Sequence, residues 1–357
     1  MRARAQLSAA LILALGAPGE PGALALQAGG PGPSDQDGPE RIELFPWEDP
    51  LTGFEPFELR MLIRARAVEE AEDPLGAEDQ RGFLLEDARL ALSGEISDGV
   101  NFRVSLDGGD EGVRPAGEIE LLEGWGSFDL GERHSVLMGR FRRPFVRSAI
   151  VDQSTLLFFD RTVVGDLNNV YDVGARIDGR YEFVDLTLAL QNGEDATANE
   201  TRTTARAEFQ LLGGGVPLED ALYRVERRHR LSMAIGYTDE TSVDSGDTVA
   251  LDAAWRYDRF GLAAELLDNG TATTASTLGG DRAWSITASW LPLPEEWVVG
   301  LRWQELDDVN DSRIISGVAK RYLVRGRIAG HFQIDRVDAD DPDLEGWRFT
   351  IGSTLTF

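Results

Sequence analysis

Residues Trp347–Phe357 read WRFTIGSTLTF, and their two-residue rhythm decides the fold. Counting back from Phe357, one face carries Phe357, Leu355, Ile351, Phe349 and Trp347, broken only by Ser353; the other carries Thr356, Thr354, Gly352, Thr350 and Arg348. Successive side chains of a strand point to opposite faces, so this is a strand with one oily and one polar side. In a soluble sheet the oily side lies in a core. The rest of the chain decides between that and a side turned to hydrocarbon.

The rhythm recurs. FELRMLIRARA sets Phe57, Leu59, Met61, Ile63, Ala65 and Ala67 against Arg60, Arg64 and Arg66, and VNFRVSLD sets Val100, Phe102, Val104 and Leu106 against Asn101, Arg103, Ser105 and Asp107. LSMAIGY, TVALDAAWRY, WSITASW, WVVGLRW and VRGRIAGHFQI repeat it. About sixteen such segments of roughly ten residues follow one another, the length a tilted strand needs to cross a bilayer. Their connections alternate. Long acidic stretches such as EEAEDPLGAEDQ, NGEDATANET and DRVDADDPDLEG follow the odd strands, and brief links such as LGERH, DGR and YDRF follow the even ones. One link breaks the rule, LLGGGVPLEDALYRVERR at residues 211–228. Short turns on one rim and long loops on the other are the build of an outer-membrane barrel, with the short turns periplasmic. Trp255, Tyr257, Trp284, Trp290, Trp297, Trp303 and Trp347 fall near strand ends on the oily side, where an interfacial aromatic girdle sits. The expected fold is therefore all-β, a transmembrane antiparallel barrel of about 16 strands whose threonine face in the last strand meets a watery lumen.

The N-terminus reads as export machinery. MRARAQ supplies positive charge, LSAALILALGA an apolar core and ALA at Ala23–Ala25 a small-x-small cleavage site, so residues 1–25 are expected to be a signal peptide. Residues 26–55 are rich in Gly and Pro without periodicity and read as a leader, leaving 56–357 as the barrel domain. The chain has no cysteine, which removes disulfides, thiolate metal sites and cysteine nucleophiles. A net charge of −27 argues against nucleic-acid binding. After the signal no apolar run reaches the length of a membrane helix, so any spanning structure must be a closed barrel.

Leu137–Gly179 resembles the phosphate-selective porin O and P family, through GRFRRPF at Gly139–Phe145, FFDR at Phe158–Arg161 and the following YDVGARIDG. EDARLALSGEISDGVNFRVSLD and LALQNGED look like further family segments, so the likeness covers the first half of the mature chain. The resemblance implies a sixteen-stranded, usually trimeric barrel in the outer membrane, assembled through its C-terminal Phe357 and surrounded by lipid and lipopolysaccharide. It implies passive diffusion of small solutes, with anions such as phosphate preferred. It also implies that the loop after strand five, here about Arg143–Tyr171, folds into the lumen. That loop is the one long connection rich in apolar residues (TLLFF), as a segment packed inside a barrel must be.

A passive channel needs no catalytic group and no cofactor, only a constriction whose charges favour one class of solute. Arginine suits anions through its planar fork of donors, and Lys320 is the only lysine among 35 basic residues. The candidate solute contacts are Arg60, Arg64, Arg89, Arg103, Arg140, Arg142, Arg143, Arg147 and Arg161, with Arg66, Arg325 and Arg327 on the same expected face. Each has a second reading as an ion-paired wall residue, since an unpaired charge in a partly dry wall is costly and Glu58, Glu86, Asp87, Asp107 and Glu120 are at hand. Few acids lie near Arg140, Arg142, Arg143 and Arg147. The near-absence of lysine and the acidic loops, which attract cations to the mouth, weigh against tuned phosphate capture. Those loops fit no twelve-residue calcium pattern and read as solvated, so no metal site is expected. His134, His229 and His331 are widely separated and lack partners for hydrolytic chemistry, so an enzyme is not expected. The remaining alternatives are a non-selective or cation-tolerant barrel and a soluble secreted β-rich binding protein. A barrel predicts different gel migration of unheated and boiled protein in detergent; a soluble fold predicts extraction in plain buffer.

Overall fold

A computed structural model of the chain describes residues 57–70, 82–109, 118–193, 201–240, 247–269, 282–307, 311–324, 327–340 and 345–357. The expected signal peptide, the leader, most of the acidic loops and Arg325 lie outside the described residues.

Sixteen antiparallel strands close on themselves: β1 (Glu58–Glu70), β2 (Gly82–Ser97), β3 (Val100–Asp107), β4 (Glu120–Asp129), β5 (His134–Arg142), β6 (Tyr171–Arg180), β7 (Val184–Gln191), β8 (Arg202–Leu212), β9 (Glu226–Glu240), β10 (Thr248–Asp258), β11 (Phe260–Asp268), β12 (Arg282–Leu293), β13 (Trp297–Asp307), β14 (Ser312–Val324), β15 (Ile328–Asp338) and β16 (Gly346–Thr356). Each strand pairs with its neighbours in sequence, and β1 pairs with β16 to complete the ring. At that junction Leu62 stands opposite Thr356, and the backbones of Met61 and Phe357 exchange two hydrogen bonds of 3.0 Å. The even-to-odd connections are short turns except the one at Gly213–Val225.

The alternation is visible strand by strand. On β13 Leu301 and Trp303 are 68% and 50% exposed, whereas the alternating Arg302 and Gln304 are buried. The same outward band includes Leu188, Ile235, Leu251, Ile286, Ile315 and Phe349. A band of this kind around a whole barrel is far larger than the apolar patches of soluble monomers, and it fits a hydrocarbon surround. Of the girdle aromatics, Tyr257, Trp290, Trp303 and Trp347 are exposed on this side and Trp255, Trp284 and Trp297 are half-buried; Trp284 and Trp303 approach to 5.6 Å between ring centroids, and His229 stacks on Tyr257 at 3.8 Å.

The inward face corrects one expectation. Thr350 and Thr354 of β16 do not meet open water: both are buried beneath the chain segment that follows β5. Two lumen-facing glycines make that contact possible. A Cβ on Gly352 would lie 2.3 Å from the Phe159 ring, and one on Gly300 would lie 2.7 Å from the Leu157 side chain. Any larger residue there pushes the loop away from the wall. Replacing Gly352 or Gly300 by Leu is therefore expected to cost about 1–3 kcal/mol in overpacking. It should speed protease cleavage within residues 143–170 while the heat-modifiable band persists; unchanged protection would show that the close approach is dispensable.

Candidate functional site: an in-folded loop and the cavity it leaves

The segment Arg143–Val170 runs inward from β5 to β6, matching the expected loop. It holds two single-turn helices, α1 (Arg147–Ile150) and α2 (Val163–Asp166), with a short 3-10 turn at Gln153–Thr155. The side chain of Thr162 caps α2 by accepting from Gly165 N, and that of Asp152 caps the 3-10 turn by accepting from Ser154 N. Two apolar clusters seat the loop on the wall. Phe145, Val146, Ala149 and Val164 pack on Ala250, Leu267, Ala283 and Leu306 of β10–β13, and Leu157 and Phe158 pack on Leu291, Val298 and Val318 of β12–β14.

Polar groups on the wall then take up backbone bonds that the irregular loop cannot make for itself, as burial demands. Gln333 Oε1 accepts from Phe159 N and Gln304 Oε1 from Val163 N, both at 2.7 Å. Glu265 Oε1 accepts from Ser148 N, Lys320 Nζ donates to Leu156 O, and Arg64 donates to Phe159 O. Asp160 is the electrostatic pin: its carboxylate receives Arg66 at 2.8 Å and Arg348 at 3.2 Å. Burial alone would raise this carboxyl, but Arg66, Arg348 and Arg302 outweigh it and hold it well below the usual carboxylate range.

The link that broke the length rule folds inward as well. Gly213, Gly214 and Gly215 take φ of 62°, 77° and 78°, a left-handed run open to glycine, and turn the chain off β8. Beyond them Ala221 N donates to Thr155 O at 2.9 Å, Asp220 Oδ2 accepts from Leu157 N at 2.8 Å, and Ala221 and Leu222 join the cluster around Leu157 and Phe158. Loop and link thus meet inside the barrel from opposite rims.

What they leave is a cavity of about 380 Å³ against the inner faces of β2–β8. Its charged lining comprises Arg89, Arg103, Arg142, Arg176 and Arg206 with Glu123, Asp152, Asp178, Asp185 and Glu208. The numbers balance, so the bonding state of each group matters more than the count. Every one of the acids is engaged: Glu123 by Arg103 at 2.6 Å, Asp178 by Arg176 at 2.8 Å, Glu208 by Arg206 at 3.0 Å, Asp185 by Gln210 and Asp152 by Ser154. Arg89 is tied to Asp87 and Asp107, Arg206 to Asp252, and Arg142 to Tyr171 Oη and the carbonyls of Ala149 and Val151. Arg103 and Arg176 differ. Each spends its Nε on a carboxylate and keeps both terminal nitrogens without a protein partner among the described residues.

The expected site residues therefore divide. Arg89, Arg103 and Arg142 line the cavity. Arg64 pairs with buried Asp87 and, with Arg66, holds the loop; truncating one partner of such a buried pair costs about 3–5 kcal/mol. Arg143 binds Asn168 Oδ1, Arg147 the carbonyls of Val216, Pro217 and Glu219, and Arg161 Ser148 O, so all three build the loop rather than face the cavity. Carbonyl oxygens replace the carboxylates the sequence lacks in that stretch. Arg161 is buried, and burial beside Arg142 lowers it to about 10, so it stays charged at neutral pH. Arg60 is exposed near the short-turn rim with Glu58. Arg140 departs from the expected lumen face: register places it opposite Gly124 and Val173, and its guanidinium turns to Glu120 and Leu122 O, apart from the cavity lining. Sequence reasoning missed Arg176 and Arg206, although Asp172–Asp178 and Arg202–Glu208 carry the same alternation that exposed Arg103.

His331 lies under Phe159 at 5.7 Å between ring centroids, and its Nε2 lies 3.1 Å from Thr354 Oγ1, both residues being buried. No cluster of His, Asp or Glu able to hold a metal occurs among the described residues.

No protein-family model and no curated protein matches the chain. Among solved structures it is similar to an anion-selective porin from Comamonas acidovorans, with a TM-score of 0.59 and 13% identity, over 84% of this chain and 99% of that one. It is likewise similar to a triple mutant of the Rhodopseudomonas blastica porin, with a TM-score of 0.54 and 14% identity, over 84% of this chain and all of that one. At such identities the likeness establishes a shared architecture, and that architecture is the closed sixteen-stranded antiparallel barrel.

Proposed function

We propose that the chain is an outer-membrane porin that lets small hydrophilic solutes diffuse passively through the space between the in-folded loop and the β2–β8 wall, with a preference for anions. The observation that carries the anion preference is the bonding asymmetry of the cavity: every lining acid is engaged, while Arg103 and Arg176 keep terminal nitrogens available. Fixed donors of this kind stabilise a passing carboxylate or phosphate oxygen without closing the path. The porin of Comamonas acidovorans is anion-selective and shares the architecture, which supports the same reading. Phosphate is one anion the site accommodates by charge, in line with the sequence resemblance, though a single lysine and a balanced lining favour general over tuned passage. The acidic external segments concentrate cations at the mouth and reduce anion entry most at low salt. The expected signal sequence and the apolar wall together support export, insertion by the barrel-assembly machinery and contact with lipopolysaccharide. A homotrimer follows from the family resemblance.

The competing reading is a non-selective or cation-tolerant barrel, favoured by the equal numbers of acids and bases in the lining. Planar-bilayer recording separates the two. Stepwise ohmic conductance is expected, with a reversal potential of anionic sign in a KCl gradient. Arg103→Ala and Arg176→Ala should each lower the anion-to-cation permeability ratio on the order of two- to threefold, and Arg140→Ala should leave it unchanged. A cationic reversal potential in the wild-type protein would sink the anion preference. Replacing Gly213–Arg224 by a short turn should raise single-channel conductance, because that segment fills lumen volume; equal conductance would remove the link from the constriction.

A further inference from the structure

Beside the Arg103–Glu123 pair, the wall between Arg103 and Arg176 carries the apolar side chains of Trp125, Leu137 and Phe141. Across β3–β4, Arg103 stands directly opposite Trp125, and across β5–β6, Leu137 stands directly opposite Arg176. The Arg176 guanidinium lies 5.7 Å from the Phe141 ring centroid, and Trp125 packs on the cluster of Leu137, Phe141 and Ala189. Leu218 of the in-folded link also reaches this cavity and is 44% exposed. Inorganic anions gain nothing from such a surface, since a small ion beside apolar groups loses hydration without recovering it. A solute with a planar apolar body and one carboxylate matches it part for part. Its charge meets the terminal nitrogens of Arg103, opposite Trp125, or of Arg176, beside Phe141, and its ring removes Trp125 and Leu218 surface from water.

We propose that this cavity discriminates among monovalent anions in favour of aromatic carboxylates, with Arg103 or Arg176 holding the carboxylate and Trp125 and Leu218 the ring. The assignment rests on the channel reading above and names the solute class for it.

Full-length protein in planar bilayers tests it with benzoate against acetate, two monocarboxylates of equal charge. KCl conductance is recorded first. Benzoate should then reduce the KCl current at a half-maximal concentration about tenfold below that of acetate. Trp125→Ala should abolish the difference without changing the response to acetate. Leu218→Ser, on an exposed position, should narrow it independently should the Trp125 variant fail to assemble. Arg176→Gln should weaken the response to both anions. Equal effects of benzoate and acetate on a conducting channel would overturn the proposal and leave the porin reading standing, as would an undiminished benzoate advantage in both apolar variants. Absence of any KCl conductance would overturn the porin reading and the proposal with it.

Discussion

Every backbone N–H and C=O at membrane depth must find its partner within the protein, and a sheet achieves that by having no edge. In this chain the requirement is met where β1 pairs with β16 and Phe357 bonds to Met61. With that ring complete, side-chain alternation has a fixed meaning around the whole circumference: odd positions of β13 and β16 face outward, even positions inward. Site geometry, girdle and lumen charge all inherit from it. A break in the pairing would leave two rows of unpaired donors and acceptors, and no side-chain contact here is strong enough to compensate for them.

The ring encloses two unlike halves. Along β10–β16 the inner face carries alanines, glycines and aliphatic side chains alongside buried polar groups, and it receives the loop and link as a small protein core would. Along β2–β8 the inner face carries arginines and acids together with Trp125, Leu137 and Phe141, and it lines the cavity. The division explains why so many arginines prove structural. A guanidinium offers five donors in a fixed fork, and the carbonyls of an irregular segment need donors wherever it is buried. Arg64, Arg147, Arg161 and Arg302 each donate to a carbonyl of the loop or the link.

The barrel was legible because period-two alternation is local and survives any tertiary arrangement: WVVGLRW reads the same in the sequence and on β13. The inward turn of Arg143–Val170 was legible from its apolar content and from a family resemblance. Which arginine lines the cavity was not. Strand parity places a side chain on a face; it does not say whether a loop covers that face, and Arg64 and Arg103 have the same local pattern with opposite fates. Parity also fails at Arg140, beside Gly139, whose φ of 129° lies outside the ordinary strand region. The cover over Thr350 and Thr354 is contributed by residues nearly two hundred positions away, a distance over which no pattern in one strand carries information.

The carboxylate of Asp160 draws Arg66 from the first strand and Arg348 from the last. It therefore straddles the seam where the two chain ends come together. A half-assembled, open sheet presents only one of those cations at the correct spacing, so the constriction acquires its final shape only when the seam has closed. The shape of this lumen is accordingly a product of seam closure, and a protein arrested before that step would present an interior of different bore and charge from the finished one.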